Sequence, residues 1–190
     1  MNTIKKLLLS FILLSSTLLF STTTNTDNKL AIFYTIDGNV QEQYTELVEK
    51  KLSAIGYKLT DSHKRINDQF ETKYGSTVLD VLSFMPVANN AVILPLLNID
   101  PRLAGFAPFN MLIYKKLDEN VTHVGHLMPK VMLDILGIEN EEVRKKFSTT
   151  FKSLDATMAQ TMGGKQSFIT YKKLPEQKMI NFEYEFEKTK

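Results

Sequence analysis

Three histidines, His63, His123 and His126, are the only imidazoles in the 190 residues, and two of them fall three apart in His123-Val124-Gly125-His126. In a strand, residues of opposite parity point to opposite faces. The pair therefore converges on one ion only if Gly125 bends or bulges the chain. With Met128 and Met132 close by, thioether and imidazole would form a ligand set suited to copper. The plain alternative is a solvated strand end with methionine filling the core. Met158 and Met162 repeat a thioether pair at helical spacing, but they continue an apolar stripe and read as core.

A second candidate is the breaker-rich stretch from Asp100-Pro101-Arg102 to Pro108-Phe109-Asn110. A loop of this kind can present backbone amides, the Arg102 guanidinium and the Asn110 amide to a small ligand, with Phe106 and Phe109 as apolar walls. The same residues would also serve a tight connection whose rings belong to the core. Asp80 is a lone acid in an apolar run, a setting that perturbs titration when the group is buried. Facing solvent, or capping a neighbouring amide, is its ordinary use. Asp118-Glu119-Asn120-Val121-Thr122 holds an Asn-x-Thr acceptor with an acid two positions before Asn120, the extended form of a glycosylation site. It also reads as a polar turn.

Much chemistry is excluded by what is missing. There is no Cys, so a disulfide scaffold, a zinc ribbon, an iron–sulfur site and a thiol nucleophile all fall away. No Gly-x-Ser-x-Gly elbow occurs. Gly164-Lys165 lacks the upstream Gly of a phosphate loop, because Ala159 holds that place, and it follows a helix instead of a strand. No catalytic residue can be named.

The first residues address the chain. Lys5 and Lys6 precede an apolar run over 7–20, broken only by Ser and Thr, and small polar residues follow over 21–24. This is the pattern of a secretory signal peptide over 1–23, and the run is shorter than the roughly 20 apolar residues of a membrane span. Export, to a periplasm, is the expected localisation. Loss of Lys5 and Lys6 leaves basic and acidic residues in equal number. No basic stripe remains to release counterions from nucleic acid, so nucleic acid is discarded as a partner. No second apolar run spans a membrane.

The elements that position these residues follow from periodicity. After a linker over 24–28, a strand is expected over 30–36, then a turn at Asp37-Gly38-Asn39. Asn39 is placed as the cap of a helix carrying Val40, Tyr44, Leu47, Val48, Leu52 and Ile55, with Glu42 completing a variant capping box and Gly56 ending it. Strands are expected over 57–65 and over 78–85, the latter stopped by Pro86, with a helical turn over 67–74 between them. A brief helix fits 87–97, limited by Pro95. Residues 111–116 and 121–127 read as a β-hairpin, and Pro129 opens a helix stopped by Gly137. Asn140 caps a long helix with Glu141 and Glu142 in its first turn and Val143, Phe147, Phe151, Leu154, Met158 and Met162 on one stripe. Strands over 168–174 and 179–187 close the chain, the last alternating Phe182, Tyr184 and Phe186 with glutamates. Strands and helices mix without βαβ alternation, which makes an α+β fold: a mainly antiparallel sheet with helices packed on it, plus a C-terminal helix and β-hairpin over 138–190.

Over about 30–137 the sequence resembles the domain-of-unknown-function 302 family, small bacterial α+β domains. The resemblance is carried by Ala54-Ile55-Gly56-Tyr57, Lys73-Tyr74-Gly75, Asp100-Pro101 with Gly105-Phe106-Ala107-Pro108-Phe109-Asn110, and Val124-Gly125-His126-Leu127-Met128-Pro129. Many members carry Cys where Phe109 stands here, so no thiol role transfers. The resemblance implies the fold and a homodimer, and no reaction. The leading functional expectation is an exported small-ligand-binding or protein-interaction module without catalytic machinery. Its rivals are copper handling through His123, His126 and Met128, and an enzyme acting on an unknown small molecule.

Overall fold

A computed structural model describes residues 28–171. Among these residues six strands form one sheet in which every neighbouring pair is antiparallel. In chain order the elements are β1 (Lys29–Asp37), α1 (41–54), β2 (Lys58–Leu59), α2 (Ile66–Tyr74), β3 (Leu79–Ala88), α3 (Asn90–Leu97), a 3₁₀ turn (Pro101–Phe106), β4 (Phe109–Lys116), β5 (Val121–Leu127), α4 (Pro129–Ile135), α5 (Glu141–Met162) and β6 (Lys165–Thr170). The strand order is β2-β3-β4-β5-β1-β6. The hairpin β4–β5 sits at its middle, and β1 returns beside β5 with Ala31 opposite Leu127 and Thr35 opposite His123. The α+β architecture is as its periodicity predicts.

One face of the sheet carries the helices. Ile32 and Tyr34 of β1, Met85 and Val87 of β3, Met111 and Ile113 of β4 and Val124 of β5 form a single core with residues of α1, α3, α4 and α5. All six residues of the α5 stripe, Val143 to Met162, are buried in it. Asn140 caps α5 by accepting from the Val143 amide at 3.1 Å, so the helix starts where a side-chain acceptor replaces the missing backbone one. The long helix therefore shares the core of the preceding elements. Next to it, α1 widens into a π turn over Leu47–Lys51, which keeps Tyr44, Leu47, Val48 and Leu52 all buried.

Several local expectations are corrected. The Asn39 side chain accepts from the Gln41 amide, α1 begins one residue later than expected, and no capping box with Glu42 forms. The strand expected over 57–65 shrinks to Lys58–Leu59 and one isolated pairing of His63 with Phe84. Between them the Asp61 carboxylate accepts from the Ser62 amide, turning the chain. Pro86 does not end β3, which runs through it to Ala88. The Pro86 carbonyl faces outward and accepts from the Thr60 amide. The amide it lacks would face the same way, so no bond to β4 is lost. Pro95 lies inside α3, which ends two residues later. The last described strand is Lys165–Thr170, shifted toward the Gly163-Gly164 turn and paired with β1. The expected strand over 179–187 and the leader over 1–23 lie outside the described residues.

Candidate functional site

On the second face of the sheet, the register aligns Phe84 of β3, Leu112 of β4, Gly125 of β5 and Phe33 of β1 in one row across the strands. Gly125 is the gap in that row. A Cβ there would stand 2.0 Å from the Ile32 carbonyl oxygen and 2.7 Å from the Phe33 ring, so only glycine lets β1 and its ring come this close. Phe33 is buried although it stands outside the main core, and it meets Tyr114 edge-on at 5.8 Å.

The segment after the 3₁₀ turn leans over this row. Gly105, Phe106 and Pro108 roof a hollow of about 320 Å³ whose floor includes Phe33, Phe84 and Leu112 and whose rim includes Asn110. Around the strand ends it reaches Phe109, His126 and Met132. Phe106, Phe109 and Asn110, three of the four expected ligand-binding residues, thus line one cavity. Arg102 does not. Its Nε and Nη2 donate to the two Asp100 carboxylate oxygens at 3.0 and 2.7 Å, and its Nη1 donates to the Gly137 carbonyl at 2.7 Å. Arg102 is a latch that ties the roof segment to the end of α4, and it holds the Asp100 carboxyl below its ordinary range through those hydrogen bonds.

The two expected metal-binding histidines are separated. His123 lies on the second face, stacked on Tyr114 at 4.6 Å with its Nδ1 3.1 Å from the Thr35 hydroxyl and its Nε2 3.7 Å from Glu119. His126 lies on the helix face, its side chain fully buried, with Nε2 2.8 Å from Asp155 of α5 and Nδ1 2.7 Å from the Leu127 carbonyl. Gly125 does not bulge the strand: the register with β1 runs without a shift from Leu127 to Val121. The parity rule for a regular strand therefore holds, and the imidazoles cannot share an ion. Met128 stands at the start of α4, where its amide donates to the Leu30 carbonyl. Among the described residues no group of three His, Asp or Glu is arranged to hold a metal.

Asp155 is the partner that sequence reasoning missed. It sits on the polar side of α5, with nothing in its local spacing to tie it to a histidine 29 residues earlier. A His–Asp pair can support general-base chemistry when the second ring nitrogen is free to take a proton. Here that nitrogen is held by the Leu127 carbonyl. The nearby phenols stay protonated at neutral pH. Burial pushes Tyr34 up, with the Asp155 carboxylate acting in the same direction and the Gln166 amide against it. Burial pushes Tyr57 up to about 12.

Asp80 takes its bland role: it pairs with Lys115 at 2.9 Å. Asn120 is exposed at the β4–β5 turn, while the Thr122 hydroxyl of the same acceptor motif is buried and donates to the Gly38 carbonyl.

Comparison with solved structures defines the class: this is a DUF302-like α+β fold. The chain is similar to a crystal structure of an uncharacterized conserved protein DUF302 from Bacillus stearothermophilus, with a TM-score of 0.57 and 17% sequence identity, over 68% of this chain and 97% of that one. No family model and no curated protein matches the sequence. No helix among the described residues is long and apolar enough to cross a membrane.

Proposed function

We propose that the chain is an exported, non-catalytic module that binds a small molecule in the hollow beneath Phe106 and Pro108. The observation that carries this reading is the cavity itself: phenylalanine and leucine walls converge on a concave space, with a side-chain amide at its rim and a roof braced by the Arg102 latch. An apolar cavity with a few convergent polar groups is the common form of a small-molecule site. The leader pattern over 1–23 supports export, and the even charge balance that remains supports a neutral ligand or partner over a polyanion.

Leu112→Trp tests the site by filling it. The floor residue is only half-buried, so the fold tolerates the larger ring, and a thermal melt checks that it does. Small neutral fragments screened by protein NMR should shift the amides of Phe33, Phe84, Phe106 and Leu112 in the mature wild-type chain and leave the corresponding positions of the variant unmoved. Fragments that bind both proteins equally, or that shift only residues elsewhere, would refute the assignment. A chain recovered from the cytosol with Met1 still attached would refute export.

A further inference from the structure

We infer that the hollow selects an uncharged aromatic molecule of one or two rings with a single hydrogen-bonding group. This inference rests on the binding reading above and adds the ligand's class.

Charge selects first. Among the described residues no Lys, Arg, Asp or Glu lines the hollow. The cation of the roof segment, Arg102, has its guanidinium committed to Asp100 and Gly137. Among the described residues His126 is the one titratable group in the wall, and both its ring nitrogens are taken, by Asp155 and by the Leu127 carbonyl. Its side chain is fully buried and offers a guest no hydrogen-bonding atom. A carboxylate or ammonium entering this space loses its water and gains no counter-charge.

Ring chemistry selects next. Phe33, Phe84, Phe106 and Phe109 supply four aromatic surfaces, and rings in this protein already meet edge-to-face, Phe33 on Tyr114 at 77° and Phe109 on Tyr57 at 88°. An aromatic guest gains the same quadrupole contacts, which a saturated ring of equal size does not. The Asn110 amide is exposed, lines the rim and makes no hydrogen bond among the described residues. It can donate to or accept from one hydroxyl, ketone or amide on the guest. The volume of about 320 Å³ sets the size at the small end of ligand cavities.

The test uses three probes of one shape on the mature chain, with calorimetry for affinity and NMR for location: 2-naphthol, its fully saturated analogue decahydro-2-naphthol, and 2-naphthoate. We expect 2-naphthol to bind and shift the Asn110 side-chain amide, the saturated alcohol to bind about fivefold more weakly, and the carboxylate to bind at least roughly tenfold more weakly. Asn110→Leu should weaken 2-naphthol and leave naphthalene unchanged. Binding of the carboxylate or the saturated alcohol in the hollow as tightly as 2-naphthol would overturn the ligand class and leave the binding site standing. Failure of all three probes to shift any residue of the hollow, in the wild type as in Leu112→Trp, would overturn the class and the site together.

Discussion

Arg102 sits in the loop that its composition marks as a ligand-binding segment, yet its side chain turns away from the cavity and closes the loop onto α4. The direction of a long side chain depends on which acceptors the fold brings near, and Gly137, 35 residues on, cannot be located from local spacing. The latch has a pH signature. The Asp100 carboxyl is held below its ordinary 3.8 by hydrogen bonds from Arg102. A carboxyl depressed in the folded state contributes stability that is present above the unfolded value and is lost as pH falls through the folded one. Arg102→Ala should therefore lower the melting temperature near neutral pH, and the gap from wild type should narrow as pH drops below about 3.8. A residual difference will persist from the lost bond to Gly137. Melts between pH 2 and pH 7, roughly the span over which a carboxyl titrates, would show this, and a gap constant over that span would mean that the Asp100 pair contributes nothing.

At the scale of elements, the parts legible in the sequence are those whose signal is local. The α5 stripe repeats every three or four residues and ends in Gly163-Gly164, and all six of its apolar residues are buried as its period requires. The hairpin β4–β5 and the stops at Gly75 and Gly137, both with positive φ, are local in the same sense. The segment over 57–65 was not legible, because its form is set by the edge of β3. There the chain pairs for two residues, touches again at His63, and then hands over to a side chain. The Asn67 amide donates to the Asp80 carbonyl at 2.9 Å and accepts from the Leu82 amide at 3.0 Å, doing for β3 what a neighbouring strand would do. Asn67 is 2% exposed, so water cannot readily replace it. Asn67→Leu keeps the volume and removes both bonds. It should cost roughly 2–4 kcal/mol by leaving a buried donor and acceptor unpaired. Urea melts would measure the loss, and hydrogen exchange should show protection falling first at the Leu82 amide. A cost below about 0.5 kcal/mol would mean that this edge is already wet. The hollow was half legible for the same reason. Phe106, Phe109 and Asn110 sit in one recognisable stretch of sequence that leads into β4, but Phe33, Phe84 and Leu112 join them only through strand register, which no single segment encodes.

For the whole molecule, the question is whether α5 and β6 are an addition to a domain or part of it. Three observations tie these two elements to the rest. The α5 stripe belongs to the same core cluster as β1, β3, β4 and β5. Asp155 of α5 holds the ring of His126 in the central hairpin. β6 covers the outer edge of β1, which would otherwise expose a row of unpaired backbone groups. Burying six large apolar side chains contributes about 1.5–3 kcal/mol for each, and a domain of this size is stable by only roughly 5–15 kcal/mol in all. Removing them should leave no folded remainder. A chain spanning 24–137 is expected to show no cooperative thermal transition and to bind hydrophobic dye, whereas 24–190 melts in one step followed equally by far-UV and near-UV circular dichroism. The hollow supplies an independent readout, since its His126 wall is braced from α5: 2-naphthol should bind the longer chain alone. A cooperative melt of 24–137 within about 5 °C of the full mature chain would show that α5 and β6 are a detachable cover, because a shift that small corresponds to only about 1 kcal/mol.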